Sequence, residues 1–335
     1  MQRTENDVML VTGATGLVGS HVIERARNEG WRVQALVRSP SSAKYLQDWG
    51  AELVLGDFSD NASVASATKD ATVIVHCAAK VGDWGAMEDF RQINVRGLEA
   101  LLEAAEATGK LKRFVHVSSL GVYEARDHYG TDEDTPPNLA GIDGYTRTKV
   151  EAEQLVLQHV KERRLPAVVV RPGFIYGPRD RTIIPKVMER LKTQQFAYLG
   201  SPDKLMNNTY VANLVDAIFL AIEKDTVLGQ VFNITDPRLV TKKEFMETIA
   251  KTAGYPLPTK VVPIGVAKFL AKMLEGLYRV LGKKEAPLLS SARIKFLGLN
   301  LDYSCERAKR LLGYSPKHDF ADAMPPTVRS FLTTN

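Results

Sequence analysis

The chain has 335 residues, of which 44% are hydrophobic and 25% charged, a composition that is ordinary for a soluble globular protein and excludes a fibre or a largely disordered chain. Lys and Arg number 44 against 39 for Asp and Glu, so the net charge is +5, without long runs of like charge, and a nucleic-acid partner is not indicated. The two cysteines, Cys77 and Cys305, exclude a disulfide framework and a cysteine-based zinc site. No pair of histidines has metal-site spacing, so we expect no metal, and we interpret His76 and His116 as packed core residues.

The chain shows neither a signal peptide nor a stretch of about 18 apolar residues. We therefore expect a cytoplasmic protein without a transmembrane span. One amphipathic stretch, residues 266–281, carries Lys268, Lys272 and Arg279 among apolar residues. We expect it to be a packed helix, and contact with a membrane surface or closure over an apolar substrate are the less favoured alternatives.

Short apolar strands alternate with helical stretches through the first 235 residues. The predicted strands are Val8–Thr12, Arg32–Val37, Glu52–Leu55, Thr72–His76, Phe114–Val117, Ala167–Val170 and Val231–Ile234. The predicted helices include Leu17–Asn28, Met87–Thr108, Tyr145–Arg164, Thr182–Gln195 and Tyr210–Glu223. Such alternation predicts βαβ units whose strands are buried on both faces. The predicted fold class is therefore α/β, a Rossmann-type doubly wound parallel sheet of about seven strands.

The alternation stops after residue 235, and the remainder is predicted to be mainly helical. Thr241 and Glu244 form a capping box that opens one helix, Ile264–Leu281 is a second helix, and Ser304 caps a short third one. We predict that these segments form a smaller C-terminal substrate cap. The dinucleotide-binding core would comprise residues 1–176 and about 208–235, and the cap about 177–207 and 236–335.

Three glycines follow the first predicted strand in the pattern Gly13-x-x-Gly16-x-x-Gly19. Glycine permits a tight turn and a close approach of a pyrophosphate to backbone N–H groups, and the helix that follows adds its positive dipole end. The spacing differs from the commoner Gly-x-Gly-x-x-Gly fingerprint, and a purely structural turn is the alternative. The predicted cofactor contacts in this turn are Gly13, Thr15, Gly16, Leu17, Val18 and Gly19.

The end of the second predicted strand distinguishes NADP(H) from NAD(H). An NAD site places an acid there to accept a hydrogen bond from the ribose 2′-OH, whereas this chain has Val37 followed by Arg38. A guanidinium can bind a 2′-phosphate through two hydrogen bonds, so the sequence favours NADP(H), with an exposed surface arginine as the alternative. Asp57 ends the third strand and is placed to hydrogen-bond the adenine, with Phe58 beside the ring.

Ser119, Tyr145 and Lys149 form the predicted catalytic group. Tyr145 and Lys149 are four residues apart at the start of a predicted helix and therefore share one face. A free tyrosine titrates near pH ~10, and an ammonium one turn away, together with a cationic nicotinamide, would favour the phenolate and make Tyr145 a general acid/base. Ser119 follows the fifth strand, at the edge where ligands bind in open α/β folds. A Tyr-x-x-x-Lys pair alone recurs on helices by chance, so the prediction depends on its combination with the glycine turn and Ser119.

The complete set of motifs resembles the extended short-chain dehydrogenase/reductase superfamily over nearly the whole chain. The motifs are Thr12-Gly13-x-x-Gly16-x-x-Gly19, Asp57, His76-Cys-Ala-Ala79, Asn94-x-x-Gly97, Ser118-Ser119-x-x-Val122-Tyr123, Tyr145-x-x-x-Lys149 and Arg171-Pro-Gly-x-x-Tyr176-Gly-Pro178. The resemblance implies that Tyr145 is the acid/base, that Lys149 holds the ribose and lowers the Tyr145 pKa, that Ser119 orients the substrate oxygen, and that Asn94 is a structural helper. The further cofactor contacts that it implies are Ala78, Ala79, Lys80, Ser118, Pro172 and Gly173.

Two segments, residues 79–85 and 312–316, look like the 3β-hydroxysteroid dehydrogenase group, with its sterol-4-carboxylate 3-dehydrogenases and 2-alkyl-3-oxoalkanoate reductases. This resemblance implies interconversion of a secondary alcohol and a ketone on a hydrophobic 3-hydroxy or 3-oxo substrate. Arg38 departs from the NAD-type acid usual in the steroid dehydrogenases and fits the oxoalkanoate reductases better. A homodimer is expected by the same resemblance, through the helices 87–108 and 145–164. The predicted substrate contacts are Trp84, Ser119, Phe174 and Tyr176.

Three alternatives stay open. A nucleotide-sugar epimerase or dehydratase is disfavoured, because Phe174 stands where those epimerases carry Asn and Leu120-Gly121 where dehydratases carry an Asp-Glu pair. Residues 207–211 also lack the arginine expected in sugar-nucleotide enzymes. A dihydroflavonol or cinnamoyl-type carbonyl reductase shares the NADP(H) reasoning. A non-catalytic cofactor-sensing Rossmann protein would commonly lose the Tyr/Lys pair, which this chain keeps.

Overall fold

Seven parallel strands form the main sheet of the computed structural model, which describes residues 1, 3–283 and 285–333. The strands are β1 Val8–Thr12, β2 Arg32–Val37, β3 Glu52–Leu55, β4 Val73–His76, β5 Arg113–Val117, β6 Ala167–Pro172 and β7 Val231–Ile234. Their order across the sheet is β3-β2-β1-β4-β5-β6-β7. The order reverses between β1 and β4, and open α/β sheets bind ligands at such a point. The predicted fold class is confirmed, and every predicted strand is found.

Helices flank this sheet and make up most of the C-terminal part. They are α1 Leu17–Asn28, α2 Lys44–Asp48, α3 Asn61–Thr68, α4 Met87–Arg91, α5 Gly97–Ala107, α6 Gly144–Arg163, α7 Ile184–Lys192, α8 Val211–Glu223, α9 Lys242–Ala253, α10 Ile264–Val280, α11 Ser291–Gly298 and α12 Phe320–Leu332. Short strand pairs join Phe174–Tyr176 to Asn208–Tyr210, Tyr198–Leu199 to Val261–Val262, and His128–Thr131 to Leu301–Tyr303. No helix in the described part of the chain is long and apolar enough to cross a bilayer.

Both faces of the sheet are covered by helices, which explains why its strands are continuous apolar runs. In β1, Met9 and Val11 pack with α1 and α8 on one face, while Leu10 packs with α3, α5 and α6 on the other. All three side chains are fully buried. The sheet is therefore a rigid support, and the residues of the predicted site lie at the carboxyl ends of its strands.

The helix predicted over Met87–Thr108 is interrupted by a wider turn. Residues Gln92–Arg96 form a π-helical segment between α4 and α5. This turn places the Asn94 side chain where it accepts the Lys80 N–H (2.6 Å) and donates to the Thr148 hydroxyl (2.9 Å). Such segments are frequent at functional sites. Asn94 thereby links the loop after β4 to helix α6.

The helix predicted over residues 182–195 is shorter and spans Ile184–Lys192. The Asp180 carboxylate accepts the N–H groups of Thr182 and Ile184, at 2.8 Å each, and holds this segment in a turn before the helix begins. At the other end Gln194 adopts a φ of +55°, a left-handed conformation that an α-helix does not continue through.

The capping box predicted at Thr241 is only half formed. Thr241 accepts the Glu244 N–H at 3.0 Å, but the Glu244 carboxylate pairs with Arg238 instead. A complete capping box occurs at the start of α6, where Asp143 accepts the Thr146 N–H (2.7 Å) and the Thr146 hydroxyl accepts the Asp143 N–H (3.2 Å). This box fixes the first turn of the helix that carries the predicted catalytic pair.

The C-terminal helices pack around an aromatic cluster. The rings of Tyr176, Phe245 and Phe320 lie 5.2–5.9 Å apart and are fully buried. They join the segment after β6 to α9 and α12. The boundaries of core and cap given above stay a prediction.

Candidate active site

The three glycines lie between β1 and α1, where larger residues would collide. Gly13 has a φ of +64°, and a Cβ there would lie 2.8 Å from the Ala78 nitrogen. A Cβ on Gly19 would lie 2.3 Å from the Gly13 carbonyl oxygen. The first turn of α1 holds no acidic residue, and no side chain caps it at Gly16, so this helix N-terminus suits an anion. The other predicted contacts in the turn are half-buried: Thr15, Leu17 and Val18.

Hydrogen bonds tie the loop after β4 to this glycine turn. Thr12 Oγ1 lies 2.9 Å from His76 Nδ1 and accepts the Ala78 N–H at 3.2 Å. His76 stacks on His116 with 5.5 Å between ring centroids, and burial lowers the pKa of His76 to about 3. The interpretation of both histidines as core residues is confirmed, since both are buried. Ala78, and with it Ala79, is held beside the glycine turn.

Arg38 is exposed at the end of β2, directly after the buried Val37. Asp57 lies nearby, at the end of β3. Hydrogen bonds from the Ser59 hydroxyl (2.7 Å) and N–H (2.8 Å) lower the pKa of the Asp57 carboxyl, and the charge of Arg38 adds to this against the effect of burial. The ring of Phe58, predicted beside the adenine, packs in the core, edge-on to the His76 imidazole with 5.4 Å between ring centroids.

The structure brings Ser119, Tyr145 and Lys149 together where β5 ends and α6 begins. Ser119 caps the short turn after β5, and its Oγ accepts the Gly121 N–H at 2.9 Å. Tyr145, in the first turn of α6, is hydrogen-bonded to Ser119. Lys149 lies one turn further on, is buried and donates from Nζ to the Val117 carbonyl at 2.7 Å.

Burial dominates the titration of this group. It raises the pKa of Tyr145 to about 12, a value that the Ser119 hydrogen bond lowers and the Asp143 carboxylate raises. Burial lowers the pKa of Lys149 to about 8. The sequence prediction combined the Lys149 ammonium with a cationic nicotinamide, and the chain's own residues leave the Tyr145 pKa above its ordinary value. The physical reason is that desolvation of the phenol, together with the Asp143 charge, outweighs the hydrogen bond from Ser119.

Two further predicted cofactor residues have their side chains engaged within the protein. Lys80 pairs with Asp89 at 3.0 Å, and the Ser118 hydroxyl donates to Glu153 at 2.7 Å. Their backbone N–H groups are engaged as well, that of Lys80 by Asn94 (2.6 Å) and that of Ser118 by the Val170 carbonyl (2.8 Å).

A buried polar network that sequence reasoning missed lies next to the predicted catalytic group. The Glu153 carboxylate accepts the Ser118 hydroxyl and two hydrogen bonds from the Arg171 guanidinium, one of them from Nε at 2.9 Å. Arg171 also donates to the Tyr123 hydroxyl at 2.7 Å. Arg171 and Tyr123 stood in the quoted motifs, but nothing in the sequence paired them with Glu153. The network fixes the backbone next to Ser119 to both α6 and β6.

We expect Glu153→Ala to destabilise the fold by about 3–5 kcal/mol, because it leaves a buried guanidinium without its counter-charge. Glu151→Ala is the matched control on the same helix, since its pair with Arg91 is partly exposed and should contribute about 1 kcal/mol or less. Urea denaturation measures both free energies of unfolding. Equal losses in the two variants would contradict the importance given to the Glu153 network.

β6 ends at the residues predicted to lie beside the nicotinamide. Pro172 is buried at the end of the strand. A Cβ on Gly173 would lie 1.9 Å from the Asn207 carbonyl oxygen, and the Gly173 N–H donates to the Thr209 hydroxyl at 3.0 Å. Only glycine therefore allows the two chain segments to pass at this distance.

The predicted substrate residues other than Ser119 are in different surroundings. Trp84 is half-buried and donates from Nε1 to the Lys283 carbonyl at 2.9 Å. Phe174 is half-buried and packs edge-on to Phe245 of α9, with 5.5 Å between ring centroids. Tyr176 is fully buried, and its hydroxyl donates to Asp236 at 2.9 Å. Tyr176 therefore belongs to the aromatic cluster of the C-terminal helices and does not line an open substrate pocket.

Helix α11 lies over the turn that holds Ser119, a contact that sequence reasoning also missed. Lys295 donates to the carbonyl oxygens of Gly121 and Tyr123 at 2.6 Å each, and burial lowers the pKa of Lys295 to about 8. Asp83, in the loop after β4, accepts hydrogen bonds from Ser290 (2.7 Å) and Arg293 (3.1 Å). No local pattern reveals these pairs, because their members are more than 170 residues apart.

Parallel strands in this order, with the glycine turn at the point of reversal, define a Rossmann fold that binds NAD(P). The chain belongs to the NAD dependent epimerase/dehydratase family, whose model matches residues 9–235. The family membership inferred from the motifs is confirmed.

Curated relatives align over nearly the full chain. A 4-hydroxy-2-methyl-3-oxo-4-farnesyl-3,4-dihydroquinoline-1-oxide ketoreductase of Stigmatella aurantiaca is 31% identical over 91% of both chains. A 3-beta-hydroxysteroid dehydrogenase of Mycolicibacterium neoaurum is 31% identical over 96% of this chain and 90% of its own. A 2-alkyl-3-oxoalkanoate reductase of Shewanella oneidensis is 28% identical over 91% of this chain and 81% of its own. The predicted enzyme class is confirmed: the chain is an NAD(P)-dependent oxidoreductase that acts on CH–OH groups.

Proposed function

We propose that this enzyme uses NADP(H) to interconvert a secondary alcohol and a ketone at the 3-position of a hydrophobic substrate such as a steroid, a sterol or a 2-alkyl-3-oxo acid. The observation that carries the proposal is the grouping of Ser119, Tyr145 and Lys149 beside the glycine turn. The names of the relatives support the chemistry, since they describe a ketoreductase, a 3-oxoalkanoate reductase and a 3-hydroxysteroid dehydrogenase.

The residues at this edge of the sheet fit a dinucleotide. The uncapped N-terminus of α1 suits a pyrophosphate, and a Cβ at Gly13 would fill the space beside Ala78. Lys149 makes one hydrogen bond to a carbonyl and has further N–H groups for ribose hydroxyls. When bound, the nicotinamide donates or accepts a hydride, and its oxidised form carries a positive charge.

Ser119 and Tyr145 divide the remaining chemistry between them. The Ser119 oxygen accepts the Gly121 N–H, so its own hydrogen is free to donate to Tyr145 or to a substrate oxygen. Tyr145 donates its phenol proton to the substrate oxygen during ketone reduction and accepts it back during alcohol oxidation. Burial raises the Tyr145 pKa, and positive charge from Lys149 and from a bound oxidised nicotinamide would favour the phenolate against it.

The substrate side of the proposal depends on apolar side chains. Trp84 and Phe174 come from different segments of the chain, are both half-buried, and suit a hydrophobic substrate.

We also infer a homodimer through α4, α5 and α6, and a cytoplasmic location. Light scattering coupled to size-exclusion chromatography tests the dimer.

A turnover panel tests the substrate class. Sterols, 2-alkyl-3-oxo acids, flavanonols and UDP-sugars are incubated with the enzyme and either NADP(H) or NAD(H), and the nicotinamide absorbance is followed. We expect turnover of a sterol or a 2-alkyl-3-oxo acid with NADP(H). Turnover of UDP-sugars alone would contradict the proposal and favour the epimerase alternative.

We expect Gly19→Ala to weaken NADPH binding by at least about tenfold, because its Cβ would lie 2.3 Å from the Gly13 carbonyl and would displace the turn that faces the pyrophosphate. Gly276→Ala is the matched control, because Gly276 lies in a helix and a Cβ there would meet nothing within 4 Å. Quenching of tryptophan fluorescence by NADPH measures both affinities. Unchanged affinity in Gly19→Ala would remove the glycine turn from the cofactor site.

A further inference from the structure

Helix α10 presents an apolar face to solvent. The exposed side chains of this face recur every three or four residues and therefore lie in one stripe: Val266, Phe269, Met273, Leu277 and Val280. Phe269 is 68% exposed and Val280 86% exposed. The helix packs on the rest of the chain through the small side chains of Ala267 and Ala271. The expectation of a fully packed helix is therefore wrong for its outer face.

One border of this stripe is positively charged. Lys268, Lys272 and Arg279 are exposed and follow each other at helical spacing. The one acidic residue of α10, Glu275, turns away from them, since its carboxylate accepts the N–H (2.6 Å) and hydroxyl (3.0 Å) of Ser291. The outer surface of the helix thus combines large apolar side chains with three cations, while the Glu275 carboxylate is engaged by Ser291.

The C-terminal end of α10 lies against the loop after β4. Tyr278 meets Trp84 edge-on at 6.3 Å between centroids, and the Arg279 guanidinium lies 5.8 Å from the Trp84 ring centroid. The indole also donates to the Lys283 carbonyl. This is the loop that begins with Ala78, beside the glycine turn. The C-terminal end of α10 is therefore in contact with the loop that leads from the glycine turn of the candidate active site.

We propose that this face, residues 264–281, docks on an anionic membrane surface. The helix would lie in the plane of the headgroups, with the apolar stripe among the acyl chains and Lys268, Lys272 and Arg279 on acidic headgroups. Contiguous apolar surface of this kind is rarely left uncovered. The net charge of +5 attracts the whole molecule to the same surface.

Charge complementarity selects a bilayer over a second copy of this chain. Two copies that paired antiparallel through this stripe would have their cationic borders on the same side of the interface, and like charges at an interface oppose association. An anionic lipid surface instead supplies the missing counter-charge. Docking itself is independent of the proposed function. On the proposed function, it brings the Trp84 loop to the phase in which a hydrophobic substrate dissolves.

Vesicle co-sedimentation of the full chain tests docking. The protein is mixed with vesicles of phosphatidylcholine, with or without phosphatidylglycerol, at low and high salt. We expect sedimentation with the anionic vesicles, weakened by high salt because the Debye length falls from about 10 Å at 0.1 M to about 3 Å at 1 M. The double variant Phe269→Ser/Leu277→Ser should lose roughly tenfold or more in partitioning, because two apolar side chains no longer insert.

The controls distinguish docking through this face from nonspecific hydrophobic adsorption and from misfolding of a variant. Leu139→Ser and Leu228→Ser remove exposed apolar side chains elsewhere and should partition like the wild type. Thermal melts by circular dichroism check that every variant is folded. The charge variant Lys268→Glu/Lys272→Glu should lose the preference for anionic vesicles.

Three outcomes would overturn the proposal. They are no sedimentation with anionic vesicles, equal sedimentation with neutral ones, and wild-type partitioning of the folded Phe269→Ser/Leu277→Ser variant. A smaller molecular mass of that variant in light scattering would assign the face to a second copy instead. Because none of these readouts measures turnover, the proposed function can fail while docking holds, and the reverse.

Discussion

Tyr145→Phe is expected to lower kcat by about a hundredfold to ten-thousandfold, the range typical of the loss of a general acid/base. The phenol of the half-buried Tyr145 lies beside Ser119, and its pKa is about 12 without the charge of an oxidised nicotinamide. Phenylalanine keeps the ring and its packing and removes only the oxygen that moves the proton. NADPH affinity should therefore change little.

Steady-state turnover and NADPH titration separate the two effects of this substitution. Tyr129→Phe is the matched control, because Tyr129 is highly exposed and lies outside the candidate site. It should leave both kcat and NADPH affinity unchanged. Turnover of Tyr145→Phe at the wild-type rate would contradict the assigned mechanism.

Arg38→Ala is expected to weaken NADPH binding by roughly tenfold to a hundredfold and to leave NADH binding nearly unchanged. Hydrogen bonds to charged groups contribute about 1.5–3 kcal/mol each, and NADH lacks the 2′-phosphate that Arg38 would bind. The guanidinium is exposed at the end of β2, next to Asp57, whose pKa it helps to lower. Its place beside the reversal point of the sheet fits the adenosine end of the cofactor.

Arg32→Ala is the matched control for this selectivity test. Arg32 is exposed on the same strand but at its opposite end. Its removal should alter neither NADPH nor NADH affinity. Equal weakening of both cofactors in Arg38→Ala would contradict the role given to Arg38 and would reopen the choice between NADP(H) and NAD(H).

The sheet could be predicted closely because most of its strands are buried on both faces. β1, β2, β3 and β7 begin and end at the predicted residues, since each is a short apolar run with a clear break at its carboxyl end. Side-chain hydrogen bonds account for other differences from the prediction. Asp180 holds the residues before α7 in a turn, so this helix begins later than predicted. The Glu244 carboxylate pairs with Arg238 and therefore does not complete the cap of α9.

The candidate site could be predicted in its residues but not in its support or its electrostatics. The spacing of Tyr145 and Lys149 places them on one helix face by local geometry alone. The Glu153–Arg171 pair and the Lys295 contacts join distant segments, so no local pattern contains them. The raised pKa of Tyr145 depends on how deeply the folded chain buries the phenol, which its neighbours in sequence do not determine.

The outer face of α10 was misjudged for a similar reason. An amphipathic pattern shows that a helix has an apolar side, but not whether another element covers it. Ala267 and Ala271 provide the packing contact, and the larger side chains Phe269 and Leu277 face solvent.

The stoichiometry of cofactor oxidation during reduction of a 2-alkyl-3-oxo acid or a 3-oxosteroid tests the central claim most directly. An oxidoreductase of the proposed kind oxidises one NADPH for each alcohol formed, and Tyr145→Phe stops both together. An epimerase regenerates its cofactor in every cycle. Conversion of UDP-sugars with no net change in nicotinamide absorbance, and no NADPH oxidation with any 3-oxo substrate, would contradict the account.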